Sequence, residues 1–167
     1  MLHIDIKPEH LRPLQIVHVA IAGGVFVFLM IVLFLPGAGA DGPQMEGEVL
    51  SILSMIHAVF FFVALGVGRF LYDSRLRRDR LESLAQGAPP EDAALRIIAM
   101  VRQASILRLA LLEAPAFLGL AIVLIARVTG NMEPVPVYWF NALSAVFLFG
   151  FIAFTFPTRE KIADLLR

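Results

Sequence analysis

The chain has 167 residues, 59% hydrophobic and 17% charged, with a mean hydropathy of +0.80. Soluble domains run to about 45–50% apolar and about 25% charged, so this composition excludes an ordinary soluble domain and points to a membrane protein. Fourteen basic residues balance fourteen acidic ones and cysteine is absent, which leaves no global attraction to nucleic acid and no disulfide, thiolate metal site, cysteine nucleophile or cysteine-linked lipid.

Residues 1–13, "MLHIDIKPEHLRP", read as a short polar arm, and Pro8 and Pro13 argue against a long helix before the apolar sequence begins. A first span follows over 14–35. Its core, "IAGGVFVFLMIVLFL", is apolar throughout and matches the about 20 helical residues that cross a hydrocarbon core. Every backbone amide in lipid must find a partner inside its own segment, so such a run is a helix, and a β-barrel, with strands of alternating polarity, is excluded. Ala38-Gly39-Ala40 resembles a signal-peptidase site. The apolar run before it exceeds the about 7–15 residues of a signal core and its charged leader is long, so the first span is expected to remain in the protein.

A Gly/Pro-rich loop leads to a second span over 49–69. Beyond it, "YDSRLRRDRLESLAQ" reads as the same helix continuing out of the bilayer until "GAPP" breaks it, and "EDAALRIIAMVRQASI" as a new helix running into the third span, 104–128. Pro90 suits its first turn and Glu91 and Asp92 its positive end. Residues 70–103 are thus expected to form a helical hairpin outside the membrane. The fourth span covers 135–156, with Val137-Tyr138-Trp139 at its start suiting an aromatic belt. In the tail "FPTREKIADLLR", Pro157 ends the span, Thr158 can cap a restarted helix, and Ile162, Leu165 and Leu166 line one side.

Thirteen of the fourteen basic residues fall in the segments facing one side, and Arg127 stands alone on the other. By the positive-inside rule both termini and the hairpin are cytoplasmic. The expected architecture is an all-α, polytopic four-helix membrane bundle of two transmembrane hairpins with a cytoplasmic helical hairpin, one domain over 1–167, in the cytoplasmic (inner) membrane. "HAVFFF" at 57–62 aligns with "SAVFLF" at 144–149, which leaves a duplication of the two hairpins open.

Ionisable groups inside the spans are few: His18, His57 and Glu113. A carboxylate in hydrocarbon faces the bundle, pairs, or is protonated. Pro115 cannot donate to the carbonyl of residue 111 and loosens the helix beside Glu113. At about 1.5 Å rise per residue, His57 lies near mid-depth and within reach of Glu113, directly or through water, whereas His18 is about 12 Å from its level. That offset disfavours a bis-histidine haem or a His/His/Glu metal site, so neither metal nor cofactor is expected. Ala20/Gly24, Ala64/Gly68 and Ala110/Ala114 give small-xxx-small pairs suited to close helix contacts. Arg75, Arg77, Arg78 and Arg80 suit anionic lipid headgroups or a partner protein.

"RLALLEAPAFLGLAIVL" and the closing "FPTREKIADLL" resemble a family of small, uncharacterised bacterial four-helix membrane proteins. Its third span starts "ALLE-(small)-(small)-A", here Ala110 to Ala116, and its last ends "(R/F)PT(R/K)E", here Pro157 to Glu160. The resemblance implies a fold and topology, not an activity. The two-hairpin plan with a membrane glutamate also looks like the proteolipid subunit of rotary ATPases. However, the proteolipid carboxylate sits on the second helix of its hairpin, and its termini face away from the cytoplasm.

No phosphate-binding, dinucleotide, zincin or nucleophile-elbow motif occurs. The expectation is a non-enzymatic protein that self-associates or serves as a subunit of a membrane complex, with the bilayer and another membrane protein as partners and no nucleic acid. The alternative is a small proton- or cation-conducting channel or transporter subunit that uses Glu113 and His57.

Overall fold

The computed structural model describes residues 8–37, 46–87, 89–132, 136–158 and 160–162. Ala38-Gly39-Ala40 and Leu165 and Leu166 lie outside the described residues. Helix is the only regular structure among those described: α1 (Pro8–Phe34), α2 (Gly47–Arg75), α3 (Arg78–Ala85), α4 (Pro90–Val128), a 3₁₀ segment (Pro136–Ala142) and α5 (Leu143–Thr155). Four stretches, α1, α2, α4, and the 3₁₀ segment with α5, are long and apolar enough to cross a membrane.

Three boundaries differ from the sequence reading. Helix α1 begins at Pro8 and runs through Pro13. A proline in the first turn withdraws a donor that has no partner there anyway, and Pro13 deprives only the carbonyl of the exposed Glu9. Helix α2 does not continue through "RLRRDR" but stops at Arg75, and Arg77 is extended before α3 starts. The break lets α3 turn back onto α4, where Leu81 meets Ile97 and Ile98. The fourth span opens in a 3₁₀ segment, becoming α-helical only at Leu143.

Helix α4, 39 residues and about 58 Å long, is the hub. Helices α1, α2, α3, α5 and the 3₁₀ segment all pack on it, while α1 and α2, consecutive in sequence, scarcely touch. Half of the most apolar window of α4 is buried, against 17% for α1 and for α2. The spans are thus not two side-by-side hairpins: α4 and α5 pair, α1 and α2 do not, and the two halves do not repeat one packing.

The core divides along α4. Within the bundle, Val25 and Val32 of α1 meet Leu112, Ala116, Leu120 and Val123 of α4 and Leu148 of α5. Beyond its end, Leu11, Leu81, Ile97, Ile98, Val101 and Ile162 form a second core. The start of α1, the α3–α4 hairpin and the segment after α5 therefore converge there, and Gln15 Nε2 donates to the Pro157 carbonyl at 3.0 Å. Thr158 begins the restarted turn, accepting from the Lys161 amide, and buries Ile162 in this core. At the opposite end Arg127 donates to the Leu33 and Leu35 carbonyls at 3.1 and 2.9 Å. The lone cation of that end thus caps carbonyls that α1 cannot satisfy itself.

Because Ile97 is fully buried between α3 and α4, Ile97→Ala is expected to accelerate amide hydrogen exchange in residues 78–85 at least about tenfold while leaving 143–155 unchanged. Mass-spectrometric exchange in detergent reads both segments at once.

Candidate functional site

Ser54 and His57 lie one turn apart on α2; Asn141 and Ser144 lie one turn apart across the junction of the 3₁₀ segment and α5. The structure closes these two pairs on the Pro115–Gly119 turn of α4. His57 Nδ1 is 2.9 Å from Asn141 Oδ1, and His57 Nε2 is 3.0 Å from both the Pro115 carbonyl and Ser144 Oγ. Asn141 Nδ2 donates to Ser54 Oγ and to the Tyr138 carbonyl, each at 3.0 Å. Ser144 Oγ also lies 3.0 Å from the Asn141 carbonyl and 3.2 Å from that of Pro115. His57, Asn141 and Ser144 are each at most 5% exposed.

Gly119 makes this convergence possible. A Cβ there would fall on the Asn141 backbone carbonyl and within 2.8 Å of His57 Nε2 and Ser144 Oγ. The network is reached from outside through a groove of about 450 Å³ between α2 and the 3₁₀–α5 segment. Its walls are mostly aromatic and aliphatic, including Phe61, Phe62 and Phe140; Ser51, Ser54, His57, Asn141 and Ser144 are among its polar positions. Ser51, Ser54 and His57 follow one another at three-residue intervals, a polar track from the start of α2 inward.

The expected pairing of His57 with Glu113 is not what the structure forms. The hydrogen bonds of His57 go to Asn141, Ser144 and Pro115. Glu113 is half-buried and, among the described residues, has no hydrogen bond or ion pair. It sits in a stripe of α4 with Ala110, Ala114 and Phe117, and Ala110 and Ala114 are exposed. Phe117 lies 3.8 Å from the Cβ position of Gly24 on the parallel α1, so Ala20, one turn earlier and also exposed, falls level with Glu113. Of the small residues, Ala64 and Gly68 are buried, Gly68 against Arg108 and Leu111 of α4. Gly24 touches Phe117 along one side; Ala20, Ala110 and Ala114 form open surface.

Pro115 does not break α4, which runs on to Val128. Arg77, Arg78 and Arg80 are exposed and Arg75 is half-buried, with Arg78 held by Glu82 at 2.9 Å. His18 lies apart from His57. Its Nδ1–H donates to the Leu14 carbonyl at 2.8 Å beside a cavity of about 40 Å³. There Arg108 lies over the rings of Tyr72 and Phe151, at 5.0 and 4.6 Å. Among the described residues no three His, Asp or Glu side chains come together as a metal would require.

Ser54, Asn141, Ser144 and Gly119 belong to no recognisable motif of the sequence. Their signal is two polar pairs at three-residue spacing, "SMIH" and "NALS", inside apolar spans. No family model matches the chain, and no curated protein and no solved structure matches it either.

The close approach at Gly119 makes a paired prediction. Gly119→Ala is expected to destabilise the protein by about 1–3 kcal/mol, as overpacking does. Gly150→Ala, where an added Cβ meets nothing within 4 Å, should stay within about 0.5 kcal/mol of the parent. Reversible unfolding in mixed micelles distinguishes them.

Proposed function

We propose that the chain is a four-span integral protein of the cytoplasmic membrane that acts without catalysis of its own, as a homo-oligomer or as a subunit of a membrane complex. Both termini and the α3–α4 hairpin face the cytoplasm. The charge asymmetry supports that orientation: the bundle end bearing the second core gathers Arg12, Arg69, Arg75, Arg77, Arg78, Arg80, Arg96, Arg102 and Lys161, against Arg127 alone at the other.

The observation that carries the assembly reading is Glu113. A half-buried carboxyl group without a partner among the described residues, flanked by exposed Ala110 and Ala114 and level with exposed Ala20, is poorly placed against lipid. The small residues let another helix approach closely, and a polar group on that helix can bond the carboxyl. The partner is a second copy of the chain or a helix of another membrane protein. The arginines around α3 add a surface suited to anionic headgroups or to an acidic partner.

In mild detergent the purified protein is expected to show, by light scattering, a mass above that of one chain, or to bring a partner with it from native membranes. Glu113→Leu should weaken the association about tenfold and Glu113→Gln much less, in line with an interhelical hydrogen bond. A strictly monomeric protein that co-purifies with nothing would overturn the reading.

A further inference from the structure

The hydrogen atoms around His57 can be placed from the contacts alone. Asn141 must direct its amide nitrogen at the Tyr138 carbonyl, since the opposite orientation would set two carbonyl oxygens 3.0 Å apart. Its oxygen therefore faces His57 Nδ1 at 2.9 Å, and Nδ1 carries a proton. Nε2 has two neighbours at 3.0 Å of different kinds: the Pro115 carbonyl, which only accepts, and the Ser144 hydroxyl, which does either. When Nε2 is bare, Ser144 donates to it. When Nε2 is protonated, it donates to Pro115, and the Ser144 hydroxyl turns to the Asn141 carbonyl at 3.0 Å. Both protonation states are satisfied, and one hydroxyl rotation converts between them.

We propose that His57 is a proton-binding site in the interior of the bundle, taking up and releasing a proton at Nε2, with access from the end where α2 begins. The groove lined by Ser51, Ser54 and Asn141 runs alongside this position, and the hydroxyls of Ser51 and Ser54 mark its polar side, the route the proton would take. The titratable groups on the elements packed around His57 are few. Tyr138 of the 3₁₀ segment donates its hydroxyl to the Gly47 carbonyl at 3.3 Å. Glu113 of α4 makes no bond to the imidazole, and α2 and α5 present no acid or base at this level. The protonated ring is thus held by two neutral carbonyl oxygens, of Asn141 and Pro115, and not by a carboxylate. This site stands on different contacts from those of the assembly face and does not depend on it.

The test is nitrogen NMR of the full-length protein, labelled at its four histidines, in lipid nanodiscs from about pH 5 to about pH 8. The His57 signals are assigned by their loss in His57→Gln. Nδ1 is expected to stay protonated throughout while Nε2 gains its proton as the pH falls. Ser144→Ala removes the donor to bare Nε2 and leaves the Pro115 acceptor, so the midpoint should rise by about half to one pH unit. Ser144→Cys, which retains a weak donor, should shift it less and serves if the alanine variant folds poorly. Nε2 unchanged over the whole range, a proton on Nε2 with Nδ1 bare, or a midpoint indifferent to both Ser144 variants would each overturn the proposal.

Discussion

The Asn141 backbone and the His57 and Ser144 side chains close on the backbone of Gly119, and the arrangement of the bundle depends on that approach. Helices surrounded by lipid gain little from hiding apolar surface from one another, because the lipid is as apolar as they are. Specific arrangement then comes from close packing and from polar groups that must find each other. Here α4 supplies the gap at Gly119 and the carbonyl of Pro115, α2 supplies His57, and the last span supplies Asn141 and Ser144. An apolar side chain in place of His57, Asn141 or Ser144 would leave buried polar partners unsatisfied, which costs more than the bonds themselves contribute.

This constraint explains why α4 and not a hairpin organises the fold. The third span touches every other element, and the polar network lies on one flank of it, with α1 packed on another through Gly24 and Phe117 and tied at its end by Arg127. The long N-terminal half of α4 then leaves the bundle and, with α3, buries an ordinary aliphatic core of leucine and isoleucine. The molecule thus holds together in two ways along one helix. It packs an aliphatic core where, on the membrane-spanning reading, water surrounds it, and adds polar interlocking to apolar packing where lipid does.

Much of the architecture was legible in the sequence, since length and apolarity mark the four spans and Pro89-Pro90 marks the start of α4. The break at Leu76–Arg77 was not, because "YDSRLRRDRLESLAQ" has unbroken helical propensity and only the second core makes a turn worthwhile. Glu113 drew attention as the one carboxylate in a span, and depth placed it within reach of His57; the rotation of α4 sets it on another face. Asn141 and Ser144 escaped notice because amides and hydroxyls barely lower the hydropathy of a span. Gly119, one of several glycines in apolar sequence, is distinguished only by what lies above it in three dimensions. The match of "HAVFFF" with "SAVFLF" suggested repetition; its first positions, His57 and Ser144, turn out to bond each other.

The central claim is that His57 and Asn141 act as one unit that locks α2 and the last span onto α4. A double-mutant cycle of His57→Leu and Asn141→Leu, read by reversible unfolding in mixed micelles, tests it most directly. The account predicts a coupling of about 1 kcal/mol or more between the two positions, as bonded neighbours show. Strict additivity, with each substitution acting as though the other residue were absent, would contradict it.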